Sequence, residues 1–372
     1  MISDVRTLSL IGAVLILLGT SWAIVKLLRR RPESGIDPAI LETFRLRVRA
    51  WWILFAALAA AFLLGHVVTV ALFGLISFWA LREFITLTPT RPGDHRTLFW
   101  VFFLITPLQF FLVGWGYSLY GLYSIVVPVY AFLFIPARIA MAGDYKRFLE
   151  RTAKIQAGLL ICVYCLSYAP ALLTLPITPG AQARQAESRR LGRETPATLA
   201  IEAAKTPGSE HRSLRADRED FLFADSSGNI RLLFFFVLIV QLSDALQYAW
   251  SQLPSKHVIV PTINATRTWE GLLGGTLSVM LVGAVLWWAT PFHGTSWWMS
   301  PVMSAVISLM GFAGSITMSA IKRDRGVRDF GTLVEGHGGV LDRLDSICFA
   351  APVFFHCTRW WLILNGIILP AG

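Results

Sequence analysis

The sequence predicts an all-α, polytopic integral membrane protein with about nine or ten transmembrane helices. Three observations predict it. Hydrophobic residues fill 55% of the 372 positions and charged residues only 15%, for a mean hydropathy of +0.59, which is too apolar for a soluble domain of this length. The 14 Trp and 25 Phe suit the aromatic belts of two bilayer surfaces. Apolar runs of membrane-crossing length recur between loops rich in Arg and Lys. A net charge of +10 would point to nucleic acid in a soluble protein. Here basic residues retained on cytoplasmic loops account for it, so membrane lipids are an expected partner and nucleic acid is not.

The first run, 7–28, is long enough to span, and its basic cluster follows it instead of preceding it, so it reads as a retained anchor and not a signal peptide. Between 44 and 52 Arg alternates with apolar residues and ends in two Trp, the pattern of an interfacial helix. The run 51–87 is too long for one span, and Gly65 and His66 divide it into two short helices. Further runs follow at 98–114, 119–136, 155–175, 232–250, 272–290, 298–320 and 347–369. Arg29 to Arg31, with Arg45, Arg47 and Arg49, mark the first cytoplasmic side and put the N-terminus outside. Alternation then places 251–267 and 322–345 in the cytosol and 177–229 outside. The 177–229 segment holds eight basic and eight acidic residues, reads as a flexible insertion, and divides N-terminal helices, 1–176, from a C-terminal region, 230–372. Cys162, Cys165, Cys348 and Cys357 all fall in apolar runs; Cys162 and Cys165 form a CxxC that no second pair or nearby His completes, so they read as small buried hydrophobes.

Three polar stretches interrupt the apolar pattern of the C-terminal region. Asp244 lies well inside an apolar run, where a carboxylate must pair, bind metal or meet water unless the helix ends nearby. Gln241, Asp244 and Tyr248 share one helix face, which predicts a polar cavity. Next, Arg267 and Thr268 precede a helix carrying Glu270, Gly271, Gly274 and Gly275. Thr268 is a candidate N-cap, and the glycines allow close approach of a helix or a ligand. The third stretch, 319–345, has Lys322, Arg323, Arg325 and Arg328 ahead of Asp329, then His337, Gly338, Gly339, and Asp342 and Asp345 three apart. Paired carboxylates beside dense cations suit a place where a divalent cation meets phosphates. Arg offers a bidentate fork to phosphate, and the Gly338 and Gly339 amides would form an anion site if a helix opens there. The bland alternative is a charged loop with five basic and five acidic residues in balance.

These residues resemble the CDP-diacylglycerol synthase, or phosphatidate cytidylyltransferase, family. Its signature is matched in spacing by Ser319, Lys322, Arg323, Asp329, Gly331, His337, Gly338, Gly339, Asp342, Arg343 and Asp345. Asp244 and Tyr248 stand where the family has an Asp-x-x-Ala-Tyr segment, and Thr268 to Gly271 match its Thr-x-Glu-Gly region. The resemblance covers the region 230–372 well. Departures are Arg328 for Lys, Gln247 for Ala, Val334 and Glu335 within the signature, 264–267 as Asn-Ala-Thr-Arg for Ser-Pro-Lys-Lys, and the 177–229 insertion. These mark a divergent member and leave the acceptor lipid more open than the reaction.

The resemblance implies that CTP and phosphatidate condense to CDP-diacylglycerol and pyrophosphate with Mg²⁺, a second metal ion being an option. It implies Asp244, Asp329, Asp342 and Asp345 as metal ligands and His337 as a hydrogen-bonding orienter. Lys322, Arg323, Arg328 and Arg343 would hold phosphates, with Arg267, Thr268, Gly338 and Gly339 also touching substrate. It further implies a homodimer and, in a bacterium, the inner membrane with the site facing the cytosol. Other readings are a CTP-dependent lipid kinase, a cytidylyltransferase for another lipid phosphate, and, from a different class, an ion-coupled transporter using Asp244.

Overall fold

The computed structural model describes residues 65–87, 90–177, 227–253, 257–294, 296–331 and 338–368, with scattered helical positions between 12 and 59. Most of the expected anchor at 7–28, most of 29–64, most of the 177–229 segment and His337 lie outside the described residues. The chain divides into two compact units, 1–72 and 73–372. The first is described only at scattered helical positions and in the opening turns of one long helix.

Among the described residues, seven helices are long and apolar enough to cross a membrane: α1 (His66–Thr86), α2 (Pro92–Trp115), α3 (Tyr117–Ala140), α4 (Phe148–Thr174), α5 (Ser227–Trp250), α7 (Met299–Asp324) and α8 (Leu341–Leu364). A shorter apolar helix, α6 (Trp269–Val285), follows a hairpin of β1 (Val258–Val260) and β2 (Asn264–Thr268). The protein is thus an all-α polytopic membrane protein. The expected nine or ten spans become seven plus α6 among the described residues. The predicted break at Gly65 is real: Gly65 has φ +105° and α1 starts at the next residue. The antiparallel hairpin, with Val258 opposite Thr268, was not expected from the sequence.

In the second unit, α5 packs on α6, α6 on α7, and α7 on α8. Small residues set these distances. A Cβ on Gly275 would sit 2.5 Å from Gln247 Cγ of α5, and one on Gly314 of α7 would sit 3.0 Å from Phe349 of α8. The Asn229 amide donates to the carbonyls of Leu173 and Leu175, so α4 and α5 meet at their ends although 178–226 separates them in sequence. Near the opposite ends of the helices, Arg151 at the start of α4 is buried against Asp94 of α2 and Asp144 of the α3–α4 loop. The four cysteines are free thiols; Cys162 and Cys348 are buried, as read from the sequence, and Cys165 and Cys357 are half-buried.

Candidate active site

Helix α8 opens on the signature residues without a side-chain cap of its own. Its donors are met in two ways. Asp342 Oδ2 accepts from the Gly339 amide at 2.8 Å and from the Phe330 amide at 2.9 Å, while Asp342 Oδ1 accepts from Lys322 Nζ at 2.9 Å. One carboxylate therefore ties the end of α7, the loop after it and the start of α8. Glu83, 257 residues before Val340, accepts from the Val340 amide at 3.0 Å with Oε1 and from the Leu341 amide at 2.8 Å with Oε2. Glu83 is only 5% exposed, and the partial positive charge of the helix N-terminus compensates it.

The glycines of the turn follow from these carboxylates. Gly338 has φ +77°, and a Cβ there would lie 2.6 Å from Asp342 Oδ2 and 3.2 Å from Asp329 Oδ1. A Cβ on Gly331 would lie 2.9 Å from Glu83 Oε1. Phe84, next to Glu83, stacks on Phe330 with ring centroids 6.4 Å apart, and Lys322 Nζ lies 5.5 Å from the same ring.

The second half of the site surrounds Arg267, at the end of the hairpin. One guanidinium nitrogen donates to Gln247 Oε1 at 2.8 Å and another to the Ser315 hydroxyl. Asp244 Oδ1 stands 3.7 Å away, an ion pair without a hydrogen bond. Gln247 also donates to Ser243 and Ser308, so a buried polar network backs Arg267. Asp345, half-buried, accepts from the Ser346 amide at 2.7 Å and interacts electrostatically with Asp244, Arg267 and Lys322. It links the two halves. Arg343 is half-buried and interacts with Asp342, Asp345 and Asp329.

The remaining predicted residues divide. Gln241, Asp244 and Tyr248 are all half-buried, while Arg323, Arg328 and Asp329 are exposed. Arg323 Nε donates to the Ile263 carbonyl and steadies the hairpin turn. Two of the predicted positions are engaged by the chain itself. Thr268 caps α6 as expected, accepting from the Gly271 amide at 3.0 Å, and is 1% exposed. At the turn where an anion site was expected, the Gly339 amide donates to Asp342 and the next two amides donate to Glu83. Sequence reading missed Glu83. Its signal is the one that marked Asp244, an acidic residue in an apolar helix.

Among the described residues no three His, Cys, Asp or Glu side chains converge as a metal cluster. The four aspartates form two sets, Asp329 with Asp342 across Gly338, and Asp244 with Asp345. Asp342 is heavily committed to protein donors, whereas Asp244 makes only the longer contact to Arg267. Mg²⁺ commonly uses one or two carboxylates and completes its shell with water and phosphate oxygens, so the Asp244 and Asp345 pair fits it.

A cytidylyltransferase family model matches residues 45–361. An uncharacterized Escherichia coli protein, YnbB, is 29% identical over 316 residues, 85% of this chain and 87% of its own length. Phosphatidate cytidylyltransferases of Staphylococcus epidermidis and Staphylococcus aureus are 35% and 32% identical over 133 residues. That alignment takes in 36% of this chain and 51% of theirs, so the chain spans about half the length of these enzymes.

Proposed function

The chain belongs to the cytidylyltransferase family, and from that premise we propose that it condenses CTP with phosphatidate to give CDP-diacylglycerol and pyrophosphate. The observation that carries this reading is the meeting of two cation–carboxylate pairs, Lys322 with Asp342 and Arg267 with Asp244, at one end of the bundle, with Asp345 between them. An oxygen of the lipid phosphate attacks the α-phosphorus of CTP. The new P–O bond forms as the bond from that phosphorus to the bridging oxygen breaks, and the electron pair leaves with pyrophosphate. A phosphate monoester is already largely ionised at pH 7, so the nucleophile needs no general base. The protein's work is positioning and charge stabilisation.

Lys322, Arg343 and the exposed Arg323 and Arg328 hold the phosphates of CTP. Arg267, held by Gln247 and Ser315, faces the lipid phosphate. Asp244 and Asp345 would hold Mg²⁺, which when bound supplies charge neutralisation at the phosphates. Asp342 and Asp329 order the turn around Gly338. His337 would orient a phosphate. The basic loops beside the site support a cytosolic orientation, and a bacterial inner membrane is its proposed home.

Purified protein with Mg²⁺, cytidine-labelled CTP and phosphatidate tests the reading. The expected result is label in the lipid phase with one pyrophosphate per labelled lipid. Release of CDP without pyrophosphate would replace it with a lipid kinase. Label only with a different lipid phosphate would keep the chemistry and change the acceptor, a reading favoured by the contact between Gln247 and Arg267, two positions that depart from the family pattern. Nucleotide-independent flux across vesicles, with no transfer, would replace it with a transporter.

A further inference from the structure

The opposite end of the bundle holds a cation that the reaction does not use. Arg359 is the nineteenth residue of α8 and lies about 25 Å along the helix from Asp342. It sits five residues before the end of α8, beside the start of α3, where the chain turns at Gly116. Its Nε donates to the Tyr117 hydroxyl at 2.9 Å, and its guanidinium carbon lies 4.0 Å from the Tyr120 ring centroid. Tyr117 and Tyr120 stack on each other, and the Tyr120 hydroxyl pairs with His356 Nδ1 at 3.3 Å. The cage fixes the direction of the guanidinium through one donated hydrogen bond and the faces of two rings, Tyr120 and, at 5.7 Å, Tyr117.

The terminal nitrogens of Arg359 are left over. Among the described residues they have no hydrogen-bond partner, and no carboxylate pairs with Arg359. No Asp or Glu occurs in the described segments at this end: 111–124, 166–177, 227–236, 281–294, 296–305 and 355–368. A half-buried guanidinium with unspent donors in a membrane span calls for an anion. The depth indicates which anion. Trp115 and Trp360, 57% and 60% exposed, flank the cage and mark headgroup level. The free edge formed by the two terminal nitrogens matches the two non-bridging oxygens of a phosphodiester.

We infer that Arg359, with Tyr117 and Tyr120, binds the phosphodiester headgroup of an anionic phospholipid in the leaflet opposite the candidate active site. The inference does not depend on the proposed reaction. Full-length protein, delipidated in detergent, is titrated by native mass spectrometry with phosphatidylglycerol, with diacylglycerol of the same chains, and with inorganic phosphate. The expected result is phosphatidylglycerol retention at least tenfold stronger in the parent protein than in Arg359→Gln. Arg359→Lys should lie between, because it keeps the charge and loses the fork, and diacylglycerol should not distinguish the variants. Equal phosphatidylglycerol retention in the parent and Arg359→Gln would overturn the site. Inorganic phosphate held as strongly as the lipid would show a simple anion pocket and overturn the headgroup assignment. If Arg359→Gln does not fold, as judged by its melting curve, Arg359→Lys and Tyr117→Phe carry the same comparison.

Discussion

Two arginines of this protein each bridge separate helices to aspartates, and they end in opposite states. Arg151 is 5% exposed and spends every nitrogen: Nε and Nη2 on Asp94, and Nη1 on the carbonyls of Asp144 and Lys146. Arg267 donates to two neutral groups, Gln247 and Ser315, and leaves Asp244 at 3.7 Å. The first network is closed and has nothing to offer a ligand. The second holds positive and negative charge side by side without joining them by a hydrogen bond, so a phosphate or a cation can enter without displacing a strong contact. Charged residues inside a membrane protein are costly in either case. Saturation of the hydrogen bonds separates a structural fastening from a site.

The comparison can be tested by breaking each side. On the open side, Asp345→Asn should lower the transfer rate by about 10²- to 10³-fold while the melting temperature stays close to the parent's, because it removes charge where a phosphate or Mg²⁺ must be met. Normal turnover at saturating Mg²⁺ would remove Asp345 from the site. On the closed side the loss should appear in stability. Arg151→Ala strands a buried Asp94 and should destabilise by about 3–5 kcal/mol, read as a large drop in thermal midpoint in detergent, with the surviving folded fraction turning over at the parent rate.

Glu83 sharpens the contrast, since it is buried like Arg151 yet touches the signature turn. Glu83→Gln keeps the size and loses one acceptor and the charge. It should cut kcat by about tenfold or more with little change in KM for CTP, as a misplaced turn would. Matching losses in stability alone would make it a fastening. Arg267→Lys keeps charge but cannot reach Gln247 and Ser315 together. It should raise KM for the lipid phosphate several-fold and leave KM for CTP unchanged, which steady-state kinetics with each substrate varied would show.

The smallest effect belongs to the exposed rim of the closed network. Partial desolvation pushes the Asp144 carboxyl up, but the Arg91 hydrogen bond, the Lys146 amide and the charges of Arg91 and Arg151 outweigh it and leave the group below its ordinary value. A lowered folded-state value means that the stabilisation is present above the unfolded carboxylate pKa of about 4 and is lost as pH falls through the folded one. Asp144→Asn should therefore soften the fall in melting temperature on the acid side and leave the curve near pH 7 almost unchanged.

Much of the architecture was legible beforehand because the signals are local. Eight of the apolar runs coincide with helices α1 to α8, and the break at Gly65 was visible as a glycine in an apolar stretch. Asp244 announced itself as a carboxylate where hydrocarbon was expected, and Asp342 and Asp345 as carboxylates three apart beside dense cations. Thr268 was readable as a cap but not as a buried one, because burial depends on what packs above it. The Gly338 and Gly339 turn was readable as an opening of α8, but not as one already supplied with anions.

The sequence by itself determined the membrane class, the order of the helices and the residues fit for phosphate chemistry, because hydropathy, chain period and side-chain type are properties of neighbours along the chain. Only the tertiary structure decided which of those residues face one another. It brought Glu83 under the amides of Val340 and Leu341, Gln247 to Arg267, and Tyr117 to Arg359. These partners lie from 20 to 258 residues apart, and a hydrogen bond requires donors and acceptors to meet within about 3 Å. Side-chain packing between helices sets that distance, and one-dimensional patterning does not record it.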